Sequence, residues 1–148
     1  MSSSRADPDR EADRLCPSAP ARVGGSVVIG VRLGVSGGAR IVPTDKPIPV
    51  TQQIIDFAAP LEPGEVFRFA ANCESAVCPH FVDRKCQIAV GGVARLDEVV
   101  TELPRCSIRS QCRWFRQEGP PICLRCPQIV TQEVDPTPEM IDIVNHRR

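Results

Sequence analysis

The chain has 148 residues, which is enough for one domain of ordinary size. Its 18 Lys and Arg balance 18 Asp and Glu, so no overall field attracts nucleic acid or an anionic membrane, and either partner would need a local charged patch. The chain has 5 Phe, 1 Trp and no Tyr, against 15 Pro and 10 Gly. This composition predicts a core poor in large side chains, which the 8 cysteines would supplement by binding metal or by forming disulfides.

The N-terminal part of the chain shows no sustained hydrophobic periodicity. Residues 1–43 mix charged, Pro-rich and Gly-rich pieces, and they are predicted to be a disordered arm or sequence upstream of the true start of translation. They lack the basic start and apolar run of a signal peptide, and the apolar stretch 23–35 is too short to span a bilayer. We therefore expect a cytoplasmic protein without a membrane segment, in a compartment where clustered cysteines usually bind metal.

Hydrophobic spacing in the rest of the chain predicts short helices and little else. The helices are expected over 50–58, 93–103, 107–118 and from Thr137, where Thr137 and Pro138 resemble a helix start, and one strand is expected over 66–69. In the third helix, an arginine stripe would lie beside an apolar stripe that turns Cys112 toward the core; the arginines are Arg105, Arg109, Arg113 and Arg116.

These elements predict the fold class and the domain limits. We expect a small, mainly α, irregular domain stapled by metal, with at most a short β element and a disordered N-terminal arm. The arm would cover 1–43, the cysteine-rich metal-binding domain 44–135, and a tail with a short helix 136–148.

Seven of the cysteines lie close together in the sequence and form two groups. The second group has the spacing Cys106-x5-Cys112-x10-Cys123-x2-Cys126, with Pro127 directly after it. Four thiols complete one tetrahedral zinc site, or they supply one thiolate to each iron of a 4Fe-4S cluster. Zinc sites usually offer two tight pairs of ligands, whereas this group offers one, so the spacing favours iron-sulfur and leaves zinc as the alternative. A Pro after the last cysteine also occurs in bacterial ferredoxins.

The first group, Cys73-x4-Cys78-x7-Cys86, has three thiols and a candidate fourth metal ligand in His80. Three thiols can hold a cluster with one open iron, and three thiols with a histidine complete either a zinc site or a cluster site. A third interpretation is that these cysteines bind no metal and are small buried apolar residues. The pattern does not decide among the three interpretations. Cys16 lies far upstream of both groups and is not expected to be a ligand.

Four segments carry six of the clustered cysteines: Asn72–Phe81, Leu103–Arg109, Cys112–Gly119 and Cys123–Thr131. Together they resemble a family of small cysteine-rich bacterial proteins, some of which are labelled nitrogen fixation proteins. The resemblance covers about residues 47–131 and none of the first 43. It implies cysteine-bound metal, presumed to be iron-sulfur, and it implies no particular reaction.

We therefore expect an iron-sulfur protein that transfers electrons or senses redox state for a partner protein and is not itself an enzyme. The alternative is a zinc-stapled module that binds protein or RNA without redox chemistry. A thiol oxidoreductase built on Cys123 and Cys126 is disfavoured because no βαβ pattern surrounds them, and nucleic acid binding is disfavoured because no reader motif accompanies the arginines. The pattern leaves the oligomeric state open.

Overall fold

The computed structural model describes residues 13–34, 40–130 and 136–146, and its centre is a four-stranded antiparallel sheet. The strands are β1 (Leu15–Ala19), β2 (Val27–Leu33), β3 (Arg40–Pro49) and β4 (Phe67–Asn72), in the order β1-β4-β2-β3. With 38% helix and 27% strand, the fold is not mainly helical, and the prediction of at most a short β element is wrong.

The predicted disordered arm is also wrong where the structure describes it, because β1, β2 and the start of β3 lie within it. The hydrophobic pattern of the sequence did not predict these strands, for two reasons. Strand β2 is apolar on both faces at its centre, so it does not alternate, and β3 lies at the edge of the sheet, where Pro43, Pro47 and Pro49 are tolerated. Residues 1–12 lie outside the described part of the chain.

Six helices and a small hairpin surround the sheet in the described residues. The helices are α1 (Gln52–Ala58), α2 (Pro63–Val66), α3 (Gln87–Arg95), α4 (Arg113–Glu118), α5 (Pro120–Cys123) and α6 (Pro138–Val144), and the hairpin pairs β5 (Phe81–Val82) with β6 (Lys85–Cys86). The first predicted helix is confirmed as α1, and the last as α6. As predicted, Thr137 caps α6: its side chain accepts a hydrogen bond from the Met140 N–H at 3.2 Å, and Pro138 opens the helix.

The helix predicted over 93–103 is wrong, because α3 precedes it and ends at Arg95. Gly91 and Gly92 lie inside α3. A Cβ at Gly92 would come within 2.9 Å of Ile122 Cδ1, and one at Gly91 within 3.0 Å of Ile143 Cγ2. The two glycines therefore let α3 pack closely against α5 and α6, and this packing outweighs their low helix propensity.

The helix predicted over 107–118 is broken at Cys112. A single 3₁₀ turn covers Arg109–Gln111, the backbone at Cys112 is extended (φ −66°, ψ 124°), and α4 begins only at Arg113. The predicted arginine stripe is therefore wrong, because Arg109 and Arg113 belong to different elements. Cys112 is buried, as predicted.

The sheet separates two groups of buried apolar side chains. Adjacent residues in a strand point to opposite faces, so Val28 and Phe69 pack toward α1, whereas Ile29 and Ala70 pack toward Trp114 and the other helices. Among the described residues, no group of three or more His, Cys, Asp or Glu is placed to hold a metal ion. The predicted metal-stapled fold is therefore wrong, since the structure is held by a conventional apolar core. No helix in the described part of the chain is long and apolar enough to cross a bilayer.

Phe69→Ala should lower the free energy of unfolding by about 3–5 kcal/mol, because Phe69 is 0% exposed in the sheet core. Phe57→Ala is the matched control, since Phe57 is 78% exposed, and it should cost less than about 1 kcal/mol. Denaturant unfolding followed by circular dichroism measures both values. Equal losses in the two variants would contradict this placement of the core.

Candidate functional site

Four cysteines line one cavity of about 60 Å³ between the sheet and the helices, called here the first cavity. They are Cys106, Cys112, Cys123 and Cys126, the four that their spacing predicts as one ligand set. Cys112 directly precedes α4, and Cys123 ends α5. Gly119, with φ 74°, joins the two helices by a sharp turn and so returns the chain to the cavity.

The thiols of the first cavity are close enough to influence one another. Burial raises the pKa values of Cys106, Cys112 and Cys123, and negative charge on Cys126 raises all three further. The side chains of Cys112 and Cys123 are only 7% and 9% exposed. These three thiols therefore retain their protons at neutral pH unless a cation binds, and cation binding would release protons.

A buried arginine, Arg68 of β4, faces this cavity. Its side chain is 4% exposed, and its Nη1 donates to Cys126 Sγ at 2.7 Å. Its Nη2 donates to the carbonyl oxygens of Cys126, at 2.9 Å, and Ile129. No carboxylate in the described part of the chain pairs with it, although a buried guanidinium normally has an anionic partner. The sulfur of Cys126 occupies the position that a carboxylate would usually fill.

Arg109 adds a second positive charge at the first cavity. Its Nη2 donates to the Pro104 carbonyl oxygen, and its guanidinium lies 5.9 Å from the centre of the Phe115 ring. A hydrogen bond from Arg109 and its positive charge lower the pKa of Cys123, which partly offsets the effect of burial. Two guanidinium groups therefore favour negative charge on the sulfurs of this cavity.

The other four cysteines line a second cavity, of about 390 Å³. The structure brings together Cys73, Cys78, Cys86 and His80, which were predicted as one group, and it adds Cys16 from β1. Burial raises the pKa of Cys16 to about 12, and charges on Cys86, Cys73 and Cys78 contribute to the rise. The group predicted from sequence therefore leaves out a cysteine that the sheet places at the same cavity.

His80 lies at the second cavity but already has a partner. Its Nδ1 is 2.9 Å from Nε2 of His146, and the two rings meet nearly edge to face. Burial lowers the pKa of His80, and His146 lowers it further. His80 is therefore a neutral residue at the rim that is bound to a second imidazole, and only its other ring nitrogen is left for a metal.

Backbone N–H groups point toward several of the cysteine sulfurs. Cys86 directly precedes α3; burial raises the pKa of its thiol, and the N–H groups of Ala89 and Ile88 partly offset that rise. Cys112 precedes α4 in the same way, and the N–H groups of Phe115 and Trp114 partly offset the effect of burial on its pKa. Both helices therefore begin where backbone N–H groups face a sulfur atom.

The donor chemistry limits what each cavity can hold. All eight cysteines are free thiols. Four thiolates around one zinc ion, with Zn–S bonds of about 2.3 Å, have sulfurs only about 3.8 Å apart. In the described ranges, no three or more His, Cys, Asp or Glu side chains form a group that could hold a single metal ion. A cluster places irons and bridging sulfides between its cysteines and so suits more widely spaced thiols. The first cavity also has several times the space of one water molecule.

Comparison with protein-family models, with curated proteins and with solved structures finds no match to this chain. The resemblance to cysteine-rich bacterial proteins is therefore not tested and stays an expectation, as does the link to nitrogen fixation.

Arg68→Met should lower the free energy of unfolding by about 1–3 kcal/mol, because the Ile129 carbonyl oxygen loses its donor in a buried site. Arg105→Met is the control. Arg105 pairs with Asp45 at the surface, where the two side chains are 72% and 77% exposed, so its loss should cost about 0–1 kcal/mol. Anaerobic denaturant titration measures both. If Arg68→Met is as stable as Arg105→Met, Arg68 does not anchor the segment that contains Cys126 and Ile129.

Proposed function

We propose that the first cavity binds a 4Fe-4S cluster through Cys106, Cys112, Cys123 and Cys126, and that the protein transfers single electrons to or from a partner protein. The observation that carries this proposal is the meeting of four thiols and a buried guanidinium that has no carboxylate partner among the described residues. Four thiols match the four irons of such a cluster. With the thiols ionised, the cavity supplies the negative charge that Arg68 lacks.

The spacing of these cysteines in the sequence supports a cluster rather than a zinc ion, because the set offers only one tight pair of ligands. Burial supports electron transfer rather than sensing by loss of the cluster. Oxidants reach exposed sites most easily, whereas Cys112 and Cys123 are nearly buried beneath Trp114 and Ile122. Eight free thiols also suit a reducing compartment such as the cytoplasm.

A bound 4Fe-4S cluster would supply one-electron chemistry at a potential set by charge, hydrogen bonds to sulfur and exposure to solvent. The chain's own residues control each of these properties. The Arg68 N–H donates to Cys126 Sγ, and its positive charge favours the form with the extra electron. The apolar side chains of Trp114, Phe115 and Ile122 keep water from the thiols. The partner is a one-electron donor or acceptor, such as a flavoprotein or another iron-sulfur protein.

Protein purified without oxygen should contain iron and acid-labile sulfide in equal amounts, with a broad visible absorption that bleaches on reduction. Cys126→Ser should lose the iron of this site, because serine removes one of its four thiolates. Ser110→Ala is a control, since Ser110 lies in the 3₁₀ turn Arg109–Gln111, next to Cys112, and does not line the cavity. Ser110→Ala should keep the full iron and sulfide content of the wild type.

Metal and sulfide analysis decides this test. Colourless protein free of iron would overturn the proposal, and so would one or two zinc ions per chain with no visible absorption. Full retention of iron by Cys126→Ser, in a variant that circular dichroism shows to be folded, would exclude this ligand set.

A further inference from the structure

The second cavity gathers thiols from parts of the chain that are far apart in sequence. Cys16 comes from β1, Cys73 follows β4, and Cys86 ends β6, with Cys78 between them. Strands β1 and β4 pair antiparallel, with Leu15 opposite Asn72 and Cys16 opposite Ala71. The Arg14 carbonyl oxygen also accepts a hydrogen bond from the Cys73 N–H at 2.8 Å. This pairing holds Cys16 beside the predicted group and supplies the fourth thiol that the group lacks.

We propose that the second cavity binds a second 4Fe-4S cluster, with Cys16, Cys73, Cys78 and Cys86 as its ligands, and that the two clusters exchange electrons. The proposal rests on the proposed function in taking the same cofactor, but its ligands and cavity are independent of the first.

Several groups near these sulfurs could bond to a thiolate. The N–H of Ser18 partly offsets the rise that burial causes in the pKa of Cys16, and the N–H of Ser75 lies 3.4 Å from Cys73 Sγ. Arg113 also lines the cavity, is only 5% exposed, and donates through Nη2 to the Ser75 hydroxyl at 3.2 Å. Each cavity thus has four thiols, N–H groups aimed at sulfur and a buried guanidinium.

His80 is not a ligand of this second cluster. Its Nδ1 is engaged by His146, and four thiols already provide one ligand for each iron of a cluster. This arrangement replaces the two predicted alternatives, a cluster with one open iron and a site completed by His80. It also makes His80→Ala a useful control, because the variant should keep its iron.

The indole ring of Trp114 lies between the two cavities. Trp114 is 2% exposed and is the one residue that lines both of them in the described part of the chain. Neighbouring residues face different cavities: Cys112 lines the first, and Arg113 the second. Trp114 therefore borders both proposed sites. An electron that passes between them oxidises one cluster by one electron and reduces the other by one, and no proton or covalent bond changes.

Iron and sulfide analysis of anaerobically purified full-length variants tests this proposal. The wild-type chain should hold about eight iron atoms, and Cys16→Ser and Cys126→Ser should each hold about four. His80→Ala should hold about eight. In electron paramagnetic resonance of the reduced protein, the wild type should show two interacting spins, and each cysteine variant should show a simpler spectrum of one isolated centre.

The experiment distinguishes failure of the second site from failure of the first. Iron-free wild-type protein would overturn both proposals. About four iron atoms in the wild type, all lost in Cys126→Ser and all kept in Cys16→Ser, would overturn the second site and leave the first. Zinc at the second site would also overturn it. If Cys16→Ser does not fold, the double variant Cys106→Ser/Cys126→Ser should still hold about four iron atoms; no iron in that folded variant would overturn the second site.

Discussion

One interaction joins the fold to the first cavity: the contact between the buried guanidinium of Arg68 and the sulfur of Cys126. A charged side chain that is 4% exposed needs an anionic partner or extensive hydrogen bonding, and the described residues offer it carbonyl oxygens and sulfur. A neutral thiol would be a poor partner for such a charge. A thiolate, held in its ionised form by iron, would be a good one. The same contact ties β4 to the loop that carries Cys126, so the fold and the cavity share one anchor.

The apolar core of the helical side includes cysteines as well as large side chains. Trp114, Ile122, Ile129 and Ile143 pack the helices against the sheet, and Cys112 and Cys123 are buried among them. Cys86 and Cys112 each precede a helix whose first backbone N–H groups point at their sulfur. Trp114 belongs to the core and also lines both cavities.

The sequence predicted some local features and missed the long-range ones. Helices α1 and α6 follow from periodicity and capping, and the four thiols of the first cavity follow from their spacing. The sheet was missed because β2 does not alternate and β3 contains prolines, and helix α3 was misplaced because close packing at Gly92 is invisible in a local pattern. Cys16 was missed for the same reason, since only strand pairing reveals its neighbours. The sequence held one signal that could have included Cys16: its eight cysteines can be divided into two sets of four.

X-ray absorption at the iron edge of anaerobically purified protein tests the central claim most directly, because it reports the atoms bound to iron. The account predicts a first shell of sulfur alone and a second shell of iron close by, as in a cluster held by cysteines. A first shell dominated by nitrogen or oxygen, or iron without a neighbouring iron, would contradict it.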